Sequence, residues 1–364
     1  MIFIGAEHII SPLGNTALQN FENAKNGISG VKKKEGHNFP TSIITDYHQF
    51  EGYSKLESLS IQSAQASLAS VDATAFTDKW LFVLSTTKGD IEHLKSGDIE
   101  KAKPSYLAKR IEDKLPINAE VMVVSNACIS GLLATITAHD LIRINKYDHV
   151  LVLGADLVTE FTSRGFKSFY ALSESPLAPF DENRTGLSLG EAVSTVILSA
   201  KKEVFKEKPV VFAGGASAND ANHISGPSRT GEGLVRAINS ALKSSDTVAK
   251  NIGFISAHGT GTRYNDDMES IAFNRVGMGQ TPMNSFKGYF GHTLGTAGVI
   301  EIAMTMQSMK SGTLIKTVGC ETPGTTEKVN VLTQNQFANV KTILKTASGF
   351  GGCNAAAILK TEEI

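Results

Sequence analysis

The chain has 364 residues, 41% of them hydrophobic and 20% charged, which is enough to bury a large core in two domains or in one internally repeated unit. Its net charge of -1, without a block of like charges, leaves no footprint for nucleic acid, although a local basic patch for an acidic partner is compatible with it. Three cysteines are too few for a disulfide framework and lack metal-ligand spacing, and no secretory signal or apolar run of about 18 residues is present, so a cytoplasmic protein with no metal and no membrane span is expected.

Met1–Ala6 reads as a short strand, followed by a Ser11-Pro12-Leu13-Gly14 turn and a helix from Thr16 to Asn26, with Asn15 as its cap and Gly27 as its stop. Residues 28–53 are polar and irregular, and Lys32-Lys33-Lys34 within them reads as solvated surface. Leu56, Leu59, Ala66 and Leu68 give a helix over 55–71 one buried face. Trp80–Ser85 is a strand, and Pro104 and Pro116 bound a helix in the charged stretch 97–118. The run Val121-Met122-Val123-Val124 reads as a buried strand that passes through small residues into a helix ending near Ile144. Cys128 stands at that junction, where free backbone N–H groups and the positive end of the helix dipole favour thiolate over thiol. A cysteine met alone is more often inert and buried; the residues that change this reading lie downstream.

Val150–Ala155 and Ala192–Ala200 are further strands. After the charged stretch 201–208 a related order begins again: strand Val210–Gly215, helix Gly231–Lys243, strand Ile252–Ser256, helix Asp266–Val276, a small-residue helix Gly295–Met309, then strands Val340–Thr346 and Asn354–Leu359. Each half opens on a short strand ending in glycine and closes on one rich in alanine and branched residues. Two related α/β halves, 1–201 and 202–364, packed as layers fit that order better than independent domains.

His258 lies directly beyond a strand in Ser256-Ala257-His258-Gly259-Thr260-Gly261-Thr262, and His292 lies in the glycine-rich stretch Phe286–Gly298, just before the helix that carries Glu301. Like Cys128, both sit at element junctions where glycines keep bulk away. A nucleophilic cysteine with two imidazoles serves hydrolysis, or it carries an acyl group while the imidazoles stabilise charge on a second thioester carbonyl. Spacing leaves both open. The glycines at 214–215 and 349–352 lack a dinucleotide fingerprint, and residues 226–233 lack the lysine-plus-hydroxyl ending of a phosphate loop. Cys320, in a polar turn, is expected to have no catalytic part, and Cys353 reads as a small space-filling residue.

Four ordered motifs then carry a resemblance: Ser125-Asn126-Ala127-Cys128; Ser256 through Thr262 with Asn265-Asp266 behind it; Lys287 through Gly298 ending in Val299-Ile300-Glu301; and Ser348-Gly349-Phe350-Gly351-Gly352-Cys353-Asn354. Together with Pro12-Leu13-Gly14 they make the whole chain similar to the β-ketoacyl-acyl-carrier-protein synthases, the Cys-His-His condensing enzymes of the thiolase superfamily. The resemblance implies an α/β fold of five αβαβα layers made of two related halves. It implies Cys128 as the acyl-accepting nucleophile, with the backbone N–H groups of Cys128 and Phe350 as its oxyanion hole. It implies His258 and His292 as the pair that supports decarboxylation of a malonyl thioester. Lys287 and Glu301 correspond to a pair that organises the site electrostatically, Thr260 and Thr262 to hydroxyls that hold the phosphopantetheine arm, and the Phe350 side chain to a gate at the acyl pocket. Phe161, Phe166 and Phe169 read as ordinary core, or as contributors to the pocket wall or a dimer surface. No cofactor is implied beyond the phosphopantetheine that arrives on an acyl carrier protein, and a homodimer, or a heterodimer with another synthase-like subunit, is expected.

The chain departs from the family pattern at Gly288, where serine is frequent, at Phe290-Gly291, where threonine-glycine is usual, at Cys353, where threonine is common, and in 183–192, which lacks the acidic residue and one of the glycines of the usual pattern. These departures point toward a specialised pathway, such as that of an aryl polyene, a pigment or another lipid-like product. The alternatives are housekeeping fatty-acid elongation, a pocket-shaping subunit of a heteromeric synthase, and a coenzyme A thiolase, with the two histidine motifs favouring decarboxylative condensation over the last.

Overall fold

A computed structural model describes residues 1–33, 39–220 and 226–362. Ten strands build its centre. The first half contributes β1 (Phe3–Ile10), β2 (Trp80–Ser85), β3 (Ala119–Val124), β4 (His149–Asp156) and β5 (Ala192–Ser199). The second contributes β6 (Val210–Asn219), β7 (Phe254–Ser256), β8 (Met283–Asn284), β9 (Thr342–Gly349) and β10 (Cys353–Lys360). Hydrogen bonding runs in the order β8-β7-β9-β10-β6-β1-β5-β4-β2-β3.

Outward from the central seam, each half therefore sets down its first, fifth, fourth, second and third strand in turn. The directions repeat as well. The first and fifth strands, and the fifth and fourth, are antiparallel, whereas the fourth and second, and the second and third, are parallel. The seam is narrow, with Phe3 opposite Val211 and Ile4 opposite Val210.

The helices complete the layers. α1 (Ala17–Lys25), α2 (Lys55–Ala69), α3 (Pro104–Glu112), α4 (Ser130–Arg143) and α5 (Glu160–Ser168) belong to the first half, and α6 (Glu232–Ser244), α7 (Arg263–Arg275) and α8 (Ala297–Ser311) to the second. α4 touches β2, β3 and β4 on one side and β6 and β10 on the other, with α8 packed beside it. α2 and α3 cover the outer face of the first sheet, and α6, with α7 against it, covers that of the second. This is the five-layered thiolase-like arrangement. The largest apolar cluster lies around the central helices and includes Leu132, Ile136, Phe290, Val299 and Ile302, all nearly or fully buried. Sheets covered on both faces explain why β4 and β5 are buried along their whole length rather than on alternate residues.

Three local expectations change, and the helix bounded by Pro104 is met with an addition. Thr16, not Asn15, caps α1: its Oγ1 accepts the Gln19 N–H at 3.1 Å, while the Asn15 N–H goes to Gln19 Oε1. Pro104 opens α3 at its first position, where the missing N–H costs no bond, and a separate one-turn helix, Ile99–Ala102, precedes it. β6 continues past Gly215 because Ala216–Asn219 pair with Cys353–Ala356. Most consequentially, β3 is not buried. Among the described residues it pairs only with β2, at the outer end of the sheet, and Val121 is 39% exposed.

Lys32 and Lys33 are exposed, as a solvated surface requires, and Lys34 lies outside the described residues. No helix among the described residues is long and apolar enough to cross a membrane.

Candidate active site

Beyond β3 the chain turns sharply through Ser125–Ile129 to start α4 at Ser130. Ala127, directly before the cysteine, takes a left-handed φ of 45°, a conformation that costs a non-glycine residue and recurs where a side chain must be presented at a tight corner. Ser130 Oγ clamps the corner, accepting the Asn126 N–H at 2.7 Å and donating to the Ala127 carbonyl at 2.6 Å. Cys128 is thus held two residues ahead of the helix and is almost fully buried.

That burial overturns the expected thiolate. Loss of solvent pushes the Cys128 thiol up to about 12, and neighbouring Cys353 adds to the effect, while the Lys287 charge and the backbone N–H of Phe350 act in the opposite direction. Alkylation by iodoacetamide should accordingly rise about tenfold per pH unit from pH 6 to 9. A rate that levels off below pH 8 would show a stabilised thiolate instead.

His258 and His292 come from different junctions and meet with ring centroids 5.4 Å apart and planes at 83°. His258 follows β7, and Lys287 Nζ stands 3.1 Å from its Nδ1 and 2.7 Å from its carbonyl oxygen. An ammonium only donates, so His258 Nδ1 accepts and the ring proton resides on Nε2. His292 reaches the same tautomer by another route, its Nδ1 accepting the Leu294 N–H at 3.2 Å. Burial, with the Lys287 charge beside both, holds each imidazole well below its ordinary pKa. Two neutral rings therefore offer Nε2–H donors, the arrangement needed to receive negative charge on a carbonyl oxygen.

Glu301, on α8, accepts from Lys287 at 2.6 Å, as the paired motifs lead one to expect. Sequence reasoning missed the layer behind this pair. Glu269, fully buried on α7, accepts the N–H groups of His258 at 2.9 Å and Gly259 at 2.7 Å, and burial together with Asp266 raises its pKa to about 7. Asp266, one turn earlier, receives the N–H groups of Thr260, Gly261 and Phe180. The two carboxylates thus stitch the His258 loop to α7, and their spacing of three residues at a helix start was the available signal. Asp156, at the end of β4, ties the Thr87 N–H and the Lys88 ammonium to the Gly295 N–H of the His292 loop. Lys345, buried in mid-strand, contacts Glu301 from the other side at 2.7 Å.

Cys128, both histidines, Thr260, Thr262 and Phe350 line one cavity of about 690 Å³. The hydroxyls of Thr260 and Thr262 lie 2.8 Å apart. Phe350 sits between Phe166 and Phe169, at centroid distances of 5.6 and 5.7 Å. The three phenylalanines of the α5 region are not core. Phe166 and Phe169 join the cavity wall, whereas Phe161, 74% exposed, is not among its lining residues.

Two departures acquire physical reasons. A side chain at Gly288 would place its Cβ 2.3 Å from the Val318 carbonyl oxygen, so this packing excludes the serine frequent in relatives. Cys353 fills space behind the nucleophile corner, its sulfur 3.3 Å from the Phe350 carbonyl oxygen. Cys320 is buried and is not among the cavity-lining residues.

Comparison with known proteins agrees with this geometry. The family model described as "Beta-ketoacyl synthase, N-terminal domain" matches residues 52–204, and "Beta-ketoacyl synthase, C-terminal domain" matches 210–321. The tetracenomycin polyketide synthase ketoacyl synthase alpha subunit of Streptomyces glaucescens is 30% identical over 271 residues, covering 70% of this chain and 63% of the relative. The 3-oxoacyl-[acyl-carrier-protein] synthase 2 of Coxiella burnetii is 24% identical over 399 residues, covering 96% of each. Among solved structures, the ketosynthase ApeO of Xenorhabdus doucetiae, in complex with its chain length factor ApeC, superposes with a TM-score of 0.87 at 24% identity, over 99% of this chain and 98% of that one.

Proposed function

Because the chain belongs to the β-ketoacyl synthase family and is a condensing enzyme of the acyltransferase type, we propose that it joins a Cys128-bound acyl group to a malonyl unit presented by an acyl carrier protein. The observation that carries this reading is the meeting of a buried cysteine with two neutral imidazoles whose Nε2–H groups, among the described residues, are free of other partners in the ring tautomers described above. In the first half-reaction the Cys128 sulfur attacks the acyl thioester; the new S–acyl bond forms as the pantetheine sulfur leaves with the thiol proton. The N–H groups of Cys128 and Phe350 hold the oxyanion. In the second, the bond from malonyl carbon to carboxylate breaks and carbon dioxide departs. The electron pair becomes an enolate that His258 and His292 stabilise, its carbon attacks the acyl carbonyl, and Cys128 leaves as thiolate and regains a proton. Thr260 and Thr262 hold the pantetheine arm, Lys287 and Glu301 fix His258, and Phe350 gates the acyl pocket.

No metal, flavin or nicotinamide has a step in this scheme. The nucleophile comes from the half 1–201 and both histidines from 202–364, so the reaction belongs to the interface between them. A cytoplasmic setting follows from carrier-protein substrates. The test is to supply an acyl carrier protein and malonyl carrier protein and look by mass spectrometry for a product two carbons longer. Wild-type protein should form it, and Cys128→Ala should not; condensation that persists unchanged in that variant removes the assigned nucleophile.

Carrier protein and dimer partner follow from surface chemistry. Acidic carriers would meet Arg263 at the cavity rim and Lys167 beside Tyr170 in the adjoining depression. Lys167→Glu should raise the KM for carrier-bound substrate several-fold and leave small pantetheine thioesters largely unaffected. Equal losses with both would locate the damage in the site. The open edge of β3 supports a dimer in which a second copy, or a synthase-like subunit such as the partner of ApeO, covers it.

The aromatic gate supports a specialised acyl chain, polyunsaturated or aryl-primed, in the biosynthesis of an aryl polyene, pigment or related product. Wild-type protein should prefer such chains to saturated ones, and Phe350→Ala should narrow the preference. A wild-type preference for saturated medium chains would instead identify an elongation synthase.

A further inference from the structure

Lys345 stands in the middle of β9, opposite Ser256 of β7 and Ala357 of β10, and is fully buried. A charge placed between two neighbouring strands has no route to water, so it persists only where the protein supplies its ligands. Three carbonyl oxygens accept from it, Thr346 at 2.6 Å, Ser256 at 3.0 Å and Ala257 at 3.3 Å, and Glu301 Oε2 stands 2.7 Å away as its ion-pair partner, outside hydrogen-bond geometry. All four are acceptors. A neutral amine has two N–H groups and a lone pair that would face one of these oxygens, whereas an ammonium with three donors suits the set.

Two of those carbonyls belong to the residues immediately before His258. The carboxylate belongs to the group whose other oxygen holds Lys287, and Lys287 in turn holds His258 at Nδ1. One carboxylate thus sits between two ammonium groups beneath one imidazole. The other titratable groups around this ring are His292 at its edge and, from α7, Glu269 and Asp266, both occupied by backbone N–H groups of the His258 loop. Asp266 also faces Arg184 at 3.7 Å.

We infer that Lys345 is a positioning residue for condensation: its ammonium clamps the backbone that leads to His258 and leaves the Lys287–Glu301 pair with surplus positive charge, keeping His258 Nε2 a hydrogen donor toward the cavity. This rests on the condensing role proposed for the site. A second lysine on Glu301 makes the histidine harder to protonate, and its removal makes protonation easier.

Lys345→Met keeps the length of the side chain and removes its charge. The acid limb of the kcat/KM profile for condensation should move up by about one pH unit. At pH 7, above the shifted limb, loss of the backbone clamp should lower kcat about tenfold while KM for the carrier changes little and Cys128 still takes an acyl group by intact-protein mass spectrometry. Lys345→Arg, which retains a charge, should bring the acid limb back toward the wild-type position even if its added bulk slows the enzyme. An unmoved acid limb, with both half-reactions reduced in proportion to lost stability, would make Lys345 merely structural and overturn the inference. Should Lys345→Met fail to fold, Lys345→Gln, which keeps a hydrogen-bond donor without the charge, decides by histidine nitrogen NMR: the His258 titration should rise by about one pH unit against wild type, and an unmoved titration would overturn the proposal. Wild-type condensation that survives Cys128→Ala would strike at the condensing role itself, independently of Lys345.

Discussion

His258→Ala and His292→Ala are each expected to reduce condensation by about 10²–10³-fold, the cost of losing one donor to a developing oxyanion, while acyl transfer onto Cys128 continues. The asymmetry follows from where each group points. In the proposed reaction, acyl transfer uses the corner at Cys128 and the Phe350 N–H. Enolate formation in that reaction would use the two Nε2–H donors, fixed by Lys287 on one ring and by the Leu294 N–H on the other. Since both donors serve one oxygen, the double variant should lose little more than the worse single one. The measurement separates acyl-enzyme formation by mass spectrometry from carbon dioxide release and from product. Parallel loss of all three in either single variant would mean that the histidines activate Cys128 rather than stabilise the enolate. His258→Ala should also destabilise the fold, because it removes an acceptor from the buried Lys287.

The parts of this site visible in the sequence are those where chemistry and local pattern coincide. Cys128, His258 and His292 each stand in a run of small residues at the end of an element, and the structure brings all three to one cavity. The repeat of halves was legible as an order of elements, but the antiparallel placing of the fifth strand beside the first depends on pairing between residues about 190 apart, such as Ile4 and Leu198. No local signal carries such a pairing. β3 was misread for a related reason: an apolar valine run is the same in an interior strand and in an edge strand awaiting a partner. The Cys128 pKa was misjudged because the helix start is local and visible, whereas the desolvation that outweighs it comes from the whole surrounding fold. Lys345 is the instructive omission. A lysine between Ile343-Leu344 and Thr346-Ala347, in a strand that reads as buried, already required a buried counter-charge. Only the fold identifies that counter-charge as Glu301.

Gly190→Ala should be among the most damaging single changes outside the reacting groups, because it strikes the support of His292. Gly190 donates its N–H to the His292 carbonyl at 3.1 Å, and the His292 N–H returns to the Ser188 carbonyl at 2.7 Å, so the two segments lie against each other as a short ladder. A Cβ at residue 190 would fall 1.8 Å from the Phe290 carbonyl oxygen and 3.1 Å from Gly291 Cα. Both are backbone atoms, with no flexible side chain to swing aside, so relief requires moving the loop that aims His292. Overpacking of this kind costs about 1–3 kcal/mol, and a clash of backbone against Cβ belongs at or beyond the upper end. Condensation should therefore fall as it does in His292→Ala, with a lowered denaturation midpoint, while Cys128 continues to accept acyl groups. Gly165→Ala supplies the contrast: it lies in α5 with nothing within 4 Å of an added Cβ, and should be neutral or slightly stabilising. Wild-type condensation by Gly190→Ala would show that the His292 loop tolerates displacement, and that its ladder to residues 188–190 does not set the geometry of the imidazole.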